Sequence, residues 1–189
     1  MKTQIFNTKE DLIYYLAEGG KIKYVFFWGH TSKDESKVGK ECFSQWYETE
    51  FTIDQNVYPT AEHYMMAEKA RLFNDSKVLN SILKTRHPAE AKKLGRSVKG
   101  YDEKTWCENR FNIVIKANEA KFSQNPILGE YLINTRDRVL VEASPFDAIW
   151  GIGLDATRKD IENPGTWPGL NLLGFALMRV RERLIDHGE

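Results

Sequence analysis

The chain has little of what most often marks a binding or catalytic chemistry. Its 189 residues hold two cysteines, Cys42 and Cys107, far apart and in no CxxC pair, which excludes a disulfide framework or a zinc ribbon and predicts reduced thiols. The four histidines, His30, His63, His87 and His187, fall in no HExxH spacing, so no tightly bound metal is expected. Glycine-rich nucleotide loops of the GxGxxG and Walker types are missing, as is the GxSxG of serine hydrolases, and no cofactor is expected. Lysine plus arginine number 27 and so do the acids, which leaves no overall field to recruit long nucleic acid or an anionic membrane. No apolar run is long enough to cross a bilayer and no secretory leader is visible, so the expectation is a cytoplasmic protein with no membrane partner.

What is present suits one globular core. Forty-one per cent hydrophobic residues in a chain of this length support a single domain, and no repeat, linker or low-complexity tract divides it. The pattern predicts a compact α+β unit with more helix than strand.

The stretch from Val57 to Ala70 organises the reading. Pro59 keeps Tyr58 out of the helical basin and the Thr60 hydroxyl is placed to cap the next turn, so a helix begins near Thr60. Along it, Glu62, Met66, Lys69 and Phe73 share one stripe. Charged groups on a face with Met and Phe suit the border of a pocket, because an ion shielded from water needs a partner. The plainer alternative is a first-turn acid favoured by the helix dipole and a lysine that reaches water along its stem. The helix alone favours that alternative.

Before this helix, residues 1–21 read as a helical extension with Thr8 as cap and Gly19-Gly20 as stop, and residues 22–186 as the main domain. Ile22 to Trp28 reads as a buried strand. Gly29 to Lys40 is polar enough to be a mobile loop, and two short strands flank the Asp54-Gln55-Asn56 turn. After it come helices from Asp75 or Ser76 to Thr85, from Pro88 to about Gly95, from Thr105 to Phe122 and from Ile127 to Asn134, a strand over 139–143, and a last helix whose leucine stripe runs from Leu170 to Leu184. The turn Gly95 to Gly100 carries Arg96 and Lys99, a place for a phosphate or simply a solvated loop. The run Asp147-Ala148-Ile149-Trp150-Gly151 follows a strand and invites two readings: backbone that lets a ligand approach, or a turn with a tryptophan anchor and a capping acid.

The ordered set Phe43-Ser44, Tyr58 to Tyr64 with Lys69, Leu94-Gly95-Arg96, Trp106, Ala120-Lys121-Phe122, Asp147 to Gly151, and Asn171 to Gly174 with Leu177-Met178 through Arg181 resembles the NADAR family. The match runs from about Tyr24 to Leu184, and Gln45 stands where many relatives have Asn. The resemblance implies an α+β fold and an N-glycosidase acting on ribosylated amines: phosphorylated early riboflavin intermediates, or ADP-ribose attached to guanine, including guanine in nucleic acid. It implies that Glu62, Trp106 and Asp147 are needed for activity, with Lys69 and Trp150 beside them. Ser44 and Gly151 of the matched motifs join the substrate-binding candidates. Arg96 and Asn171 are candidates for a phosphate and a ribose hydroxyl.

Those residue types suit the chemistry. Breaking a ribose C1–N bond passes through an oxocarbenium-like state, so one carboxylate on the sugar face stabilises or attacks the cation while another group handles protons. Glu62 and Asp147 divide those roles in an order the sequence leaves open. Trp106 and Trp150 would stack on a flat leaving group, typically worth about 1–3 kcal/mol per base in nucleic-acid systems. Lys69 has three uses open to it: attracting phosphate, protonating the departing nitrogen, or forming a Schiff base. The competing function class is a module that binds ADP-ribose without cleaving it. Oligomeric state is not legible.

Overall fold

The computed structural model describes residues 6–32, 34 and 37–186. Among them the chain runs α1 (Lys9–Ala17), β1 (Tyr24–Phe27), a 3₁₀ turn (Lys40–Phe43), β2 (Phe51–Ile53), β3 (Asn56–Tyr58), α2 (Ala61–Leu72), α3 (Ser76–Ile82), α4 (Pro88–Arg96), α5 (Glu103–Gln124), α6 (Pro126–Ile133), β4 (Val139–Glu142), a second 3₁₀ turn (Pro164–Thr166) and α7 (Leu172–Asp186). The expected α+β architecture with excess helix is what folds. Its strands form two separate pairs: β1 lies parallel to β4, and β2 and β3 form an antiparallel hairpin.

Helix α2 is the hub because almost every residue of its first two turns is buried, from Ala61 to Ala67, and it packs on α3, α4 and α5. Its start follows the local chemistry. The Thr60 side chain accepts from the His63 amide, and the Gln45 carbonyl accepts the Glu62 amide at 2.9 Å, so two of the four amides orphaned at a helix mouth are satisfied. Asp75 and Asp102 cap α3 and α5 in the same way, and Pro88 and Pro126 open α4 and α6 where a missing N–H is harmless. Helix α3 stops at Ile82, short of the expected Thr85. The hairpin turn needs left-handed backbone at Asp54 and Gln55, with φ of 49° and 64°, where side chains unbranched at Cβ are tolerated better than β-branched ones.

Long-range packing brings β4 to β1 in the register Tyr24↔Val139 through Phe27↔Glu142. Helix α7 covers β4 at very close range: a Cβ on Gly174 would stand 2.0 Å from the Leu140 carbonyl oxygen, so only glycine fits there. The carboxyl ends of β1 and β4 therefore open at the same edge. Crevices outside such strand ends are where ligands bind in open α/β sheets, and here the edge faces α2 and α4.

Helix α1 is held to this body. Leu12 is fully buried, the Lys9 ammonium donates to the Trp167 carbonyl at 3.0 Å, and Arg179 donates to the Asn7 side chain. The loop expected to be mobile falls partly on residues 33, 35 and 36, outside the described residues. At its far end Lys40 begins the first 3₁₀ turn and donates to the Phe26 carbonyl at 2.9 Å. Among the described residues no helix is long and apolar enough to cross a membrane.

Candidate functional site

Between α2, α4, the first turn of α5 and the loop after β4 lies a cavity of about 490 Å³. Its wall includes Ser44, Glu62, Lys69, Arg96, Trp106, Asp147 and Trp150, seven of the nine residues singled out from sequence. They come from five parts of the chain. Met65 and Met66 add flexible apolar surface, and the wall is completed by residues the sequence reading did not name as ligands: Trp46, Lys92, Glu142 and Phe146.

Glu62 is 3% exposed, and its Oε1 has no hydrogen-bond partner among the described residues. Burial pushes its carboxyl up to about 7. Lys92, the Trp46 indole and Arg96 pull against that shift, and Asp147 adds to it. The backbone of Glu62 is pinned by Gln45, whose side-chain carbonyl in turn accepts from Asn118 at 2.8 Å inside the core.

Asp147 both caps a turn and lines the cavity. Its Oδ1 accepts the amides of Ile149 at 2.9 Å and Trp150 at 2.7 Å, which folds the turn and sets the indole of Trp150 on the cavity wall. The capping role and a place on the cavity wall therefore go together. Oδ2 carries neither of these bonds.

Lys69, two turns along α2 from Glu62, and Arg96 on α4 add positive charge to the same cavity wall. The Lys69 ammonium sits 4.2 Å from the ring centroid of Tyr101 and 5.5 Å from that of Trp106. Burial lowers its pKa against the pull of Glu103, and Arg96 lowers it further. Lys92 and Arg96 are one turn apart on α4, so both reach the cavity. Lys99, the other basic residue of the phosphate turn, does not line it; its amide donates to Asp75 at 3.0 Å.

Two of the nine candidates lie off the cavity wall. Asn171 is fully buried and its amide is used on backbone: Oδ1 accepts from the Glu142 amide at 3.0 Å and Nδ2 donates to the Leu140 carbonyl at 2.9 Å. It fastens β4 to the start of α7 and does not line the cavity. Gly151 is also off the wall; a Cβ there would meet the carbonyl oxygens of Glu142 at 2.8 Å and Asp147 at 2.9 Å, so the close approach it permits is by its own chain. Trp106 does line the cavity, 7% exposed and with Lys69 near its ring. Trp46 and Trp150, each half-buried, offer more open indole surface.

The cavity runs into a second groove past Trp46 and Phe146, walled by Trp28, His30, Ser144 and the shared residues Ser44, Lys92, Glu142 and Asp147. The Trp28 and Phe146 rings lie 6.0 Å apart, and those of His30 and Trp46 5.6 Å. Among the described residues no group of three His, Cys, Asp or Glu is arranged to hold a metal ion.

Trp46, Lys92 and Glu142 were missed for different reasons. Lys92 had a signal, since it shares a helix face with Arg96. Glu142 had a weaker one, a charge ending an otherwise apolar strand. Trp46 had none, because its approach to Glu62 depends on a tertiary contact.

This frame is the fold of the Escherichia coli protein YbiA: its NMR structure matches with a TM-score of 0.71 at 29% identity, covering 88% of this chain and 87% of that one. The chain belongs to the NADAR domain family, whose model matches residues 26–185 and begins beyond α1. It is 42% identical over 165 residues to an N-glycosidase of Acanthamoeba polyphaga mimivirus, covering 85% of this chain and 95% of that protein. It is 33% identical over 142 residues to the N-glycosidase YbiA of Escherichia coli, covering 75% and 80%. A riboflavin biosynthesis protein of Vibrio vulnificus is 31% identical over 144 residues, which is 76% of this chain and 35% of that longer protein.

Proposed function

We propose that this hydrolase of N-glycosyl bonds cleaves the bond between C1 of a phosphorylated ribose and an amine nitrogen. The observation that carries the proposal is the convergence of Glu62 and Asp147 on one cavity that Lys69 and Arg96 also line. Acids belong at the anomeric carbon, where positive charge develops, and cations belong at the phosphate. Asp147 faces the sugar cation. Glu62, with a carboxyl raised to about 7, has the pKa of a base that takes a proton from water near neutral pH. Trp46 and Trp150 flank the flat leaving group.

Two substrate classes fit: phosphorylated ribosylaminopyrimidines of riboflavin synthesis and ADP-ribose linked to guanine. The names of the YbiA and mimivirus relatives support the N-glycosyl chemistry, and that of the Vibrio protein a riboflavin context. The test is to incubate the protein with each substrate, with and without chelator, and follow release of the free base by chromatography and mass spectrometry. Release that survives the chelator is expected. Tight binding without release from either substrate would replace this reading with that of a nucleotide-binding module.

A further inference from the structure

Glu142 is the one carboxylate on the cavity wall to which the reading above gives no work. It is the last residue of β4, opposite Phe27, and its backbone is fixed on both sides: the amide donates to Asn171 at 3.0 Å and the carbonyl accepts from Ile152 at 2.9 Å. The side chain lines both the cavity and the adjoining groove. Its Oε2 is shielded from solvent and has no hydrogen-bond partner among the described residues. A fixed strand end thus presents a carboxyl group with a free, desolvated oxygen where the two chambers meet.

We propose that Glu142 is the proton donor to the departing nitrogen, a role that rests on the N-glycosidase reading and completes it. The groups that face it are Asp147 from the following loop, Glu62 from α2, Lys92 from α4 and His30 across the groove. Burial, with Asp147 and Glu62 adding to it and Lys92 opposing, raises the Glu142 carboxyl to about 8. A carboxylic acid that keeps its proton at neutral pH, on the same cavity wall as Glu62, is placed to act as the acid partner of that base. As the C1–N bond breaks, its electron pair stays with nitrogen, which takes the proton of Glu142. Water adds its oxygen to C1 and gives a proton to Glu62. That proton passes back to Glu142, and the net change is one C1–N bond and one water giving C1–OH and N–H.

The test compares the full-length wild type with Glu142→Gln and Glu142→Asp, folding being checked by matched melting curves. Rates on a ribosylaminopyrimidine phosphate and on ADP-ribosylated guanosine are read from about pH 5 to 10. The wild-type rate is expected to fall above about pH 8, Glu142→Gln to be slower by roughly 10²- to 10³-fold with that fall absent, and Glu142→Asp to keep it. Independently of turnover, the infrared carbonyl stretch of neutral carboxylic acid, to which Glu62 also contributes at pH 7, should lose the Glu142 share of its intensity in Glu142→Gln. Loss of no more than about threefold in Glu142→Gln, survival of the alkaline fall, or an unchanged infrared band would each overturn the role while leaving the N-glycosidase reading intact. A wild type that cleaves neither substrate defeats that reading, and this role with it.

Discussion

Lys121 holds Ser44 in place from inside the core. The ammonium, on the fully buried side chain of Lys121, donates to the Ser44 carbonyl at 2.9 Å and to the Cys42 carbonyl at 2.7 Å, and no acid forms an ion pair with it among the described residues. Helix α5 thereby fixes the segment that carries Ser44, Gln45 and Trp46 along the cavity.

Lys121→Met keeps the stem and removes the donor, leaving two buried carbonyls without this partner. Losing partners of that kind costs about 1–3 kcal/mol each. The variant is expected to be clearly destabilised and to lose activity beyond what its unfolded fraction explains, because the Trp46 wall loosens. Burial also lowers the Lys121 pKa to about 7 from a reference of 10.5. Between those values the unfolded chain binds more protons, so the Lys121 contribution to stability rises with pH across that window. Urea denaturation at pH 7 and 9 should show that rise in the wild type reduced in Lys121→Met.

Glu62 has the opposite sign. Its folded pKa, about 7, lies above the reference of 4.5, so the folded state holds the extra proton between them. The associated stability is present below the reference value and lost as pH climbs through 7. Glu62→Gln keeps the shape without the charge. It is expected to gain stability over the wild type at pH 8 and to gain little at pH 4, while activity drops by at least about 10²-fold at pH 8 and the gap narrows at pH 4, where the wild-type base is itself protonated. Paired denaturation curves and initial rates check both halves.

Asp147→Asn separates the turn from the charge. Its remaining carbonyl oxygen can still accept the amides of Ile149 and Trp150, so the melting temperature should stay within a few degrees of the wild type's. The rate should fall by about 10²-fold or more, since an amide cannot stabilise a sugar cation as a carboxylate does. Asp147→Ala loses cap and charge together, and a much lower melting point for it than for Asp147→Asn would show that the turn survives in the asparagine variant.

The sequence made the local parts of this architecture legible and hid the parts made by long-range contact. The Pro59-Thr60 mouth of α2, the caps at Thr8 and Asp75 and the hairpin turn are decided by neighbouring residues, and each lies where its local chemistry puts it. The stripe Glu62, Met66, Lys69 was readable for the same reason, since helical spacing alone puts them on one face. Glu142 was absorbed into a strand because alternation along β4 says nothing about what stands beyond its end. Asn171 misled because a polar residue at a loop end reads equally as ligand or as clasp. Only the carbonyl of Leu140 and the amide of Glu142, some thirty residues earlier, decide it.

Arg96 tests the positive charge on the cavity wall. It sits at the exposed last turn of α4, where a guanidinium is free to form paired hydrogen bonds with a phosphate, whereas Lys69 stands deeper over Tyr101 and Trp106. Arg96→Gln removes that charge from a surface position, so stability should change by less than about 0.5 kcal/mol. If Arg96 holds the phosphate in ground state and transition state alike, KM should rise about tenfold with kcat nearly unchanged, the pattern of lost uniform binding. The same variant should show no rise against the dephosphorylated ribosylamine, and wild-type KM for the phosphorylated substrate should climb with salt more steeply than that of the variant. An equal effect on both substrates would move the phosphate away from Arg96, towards Lys92 or Lys69.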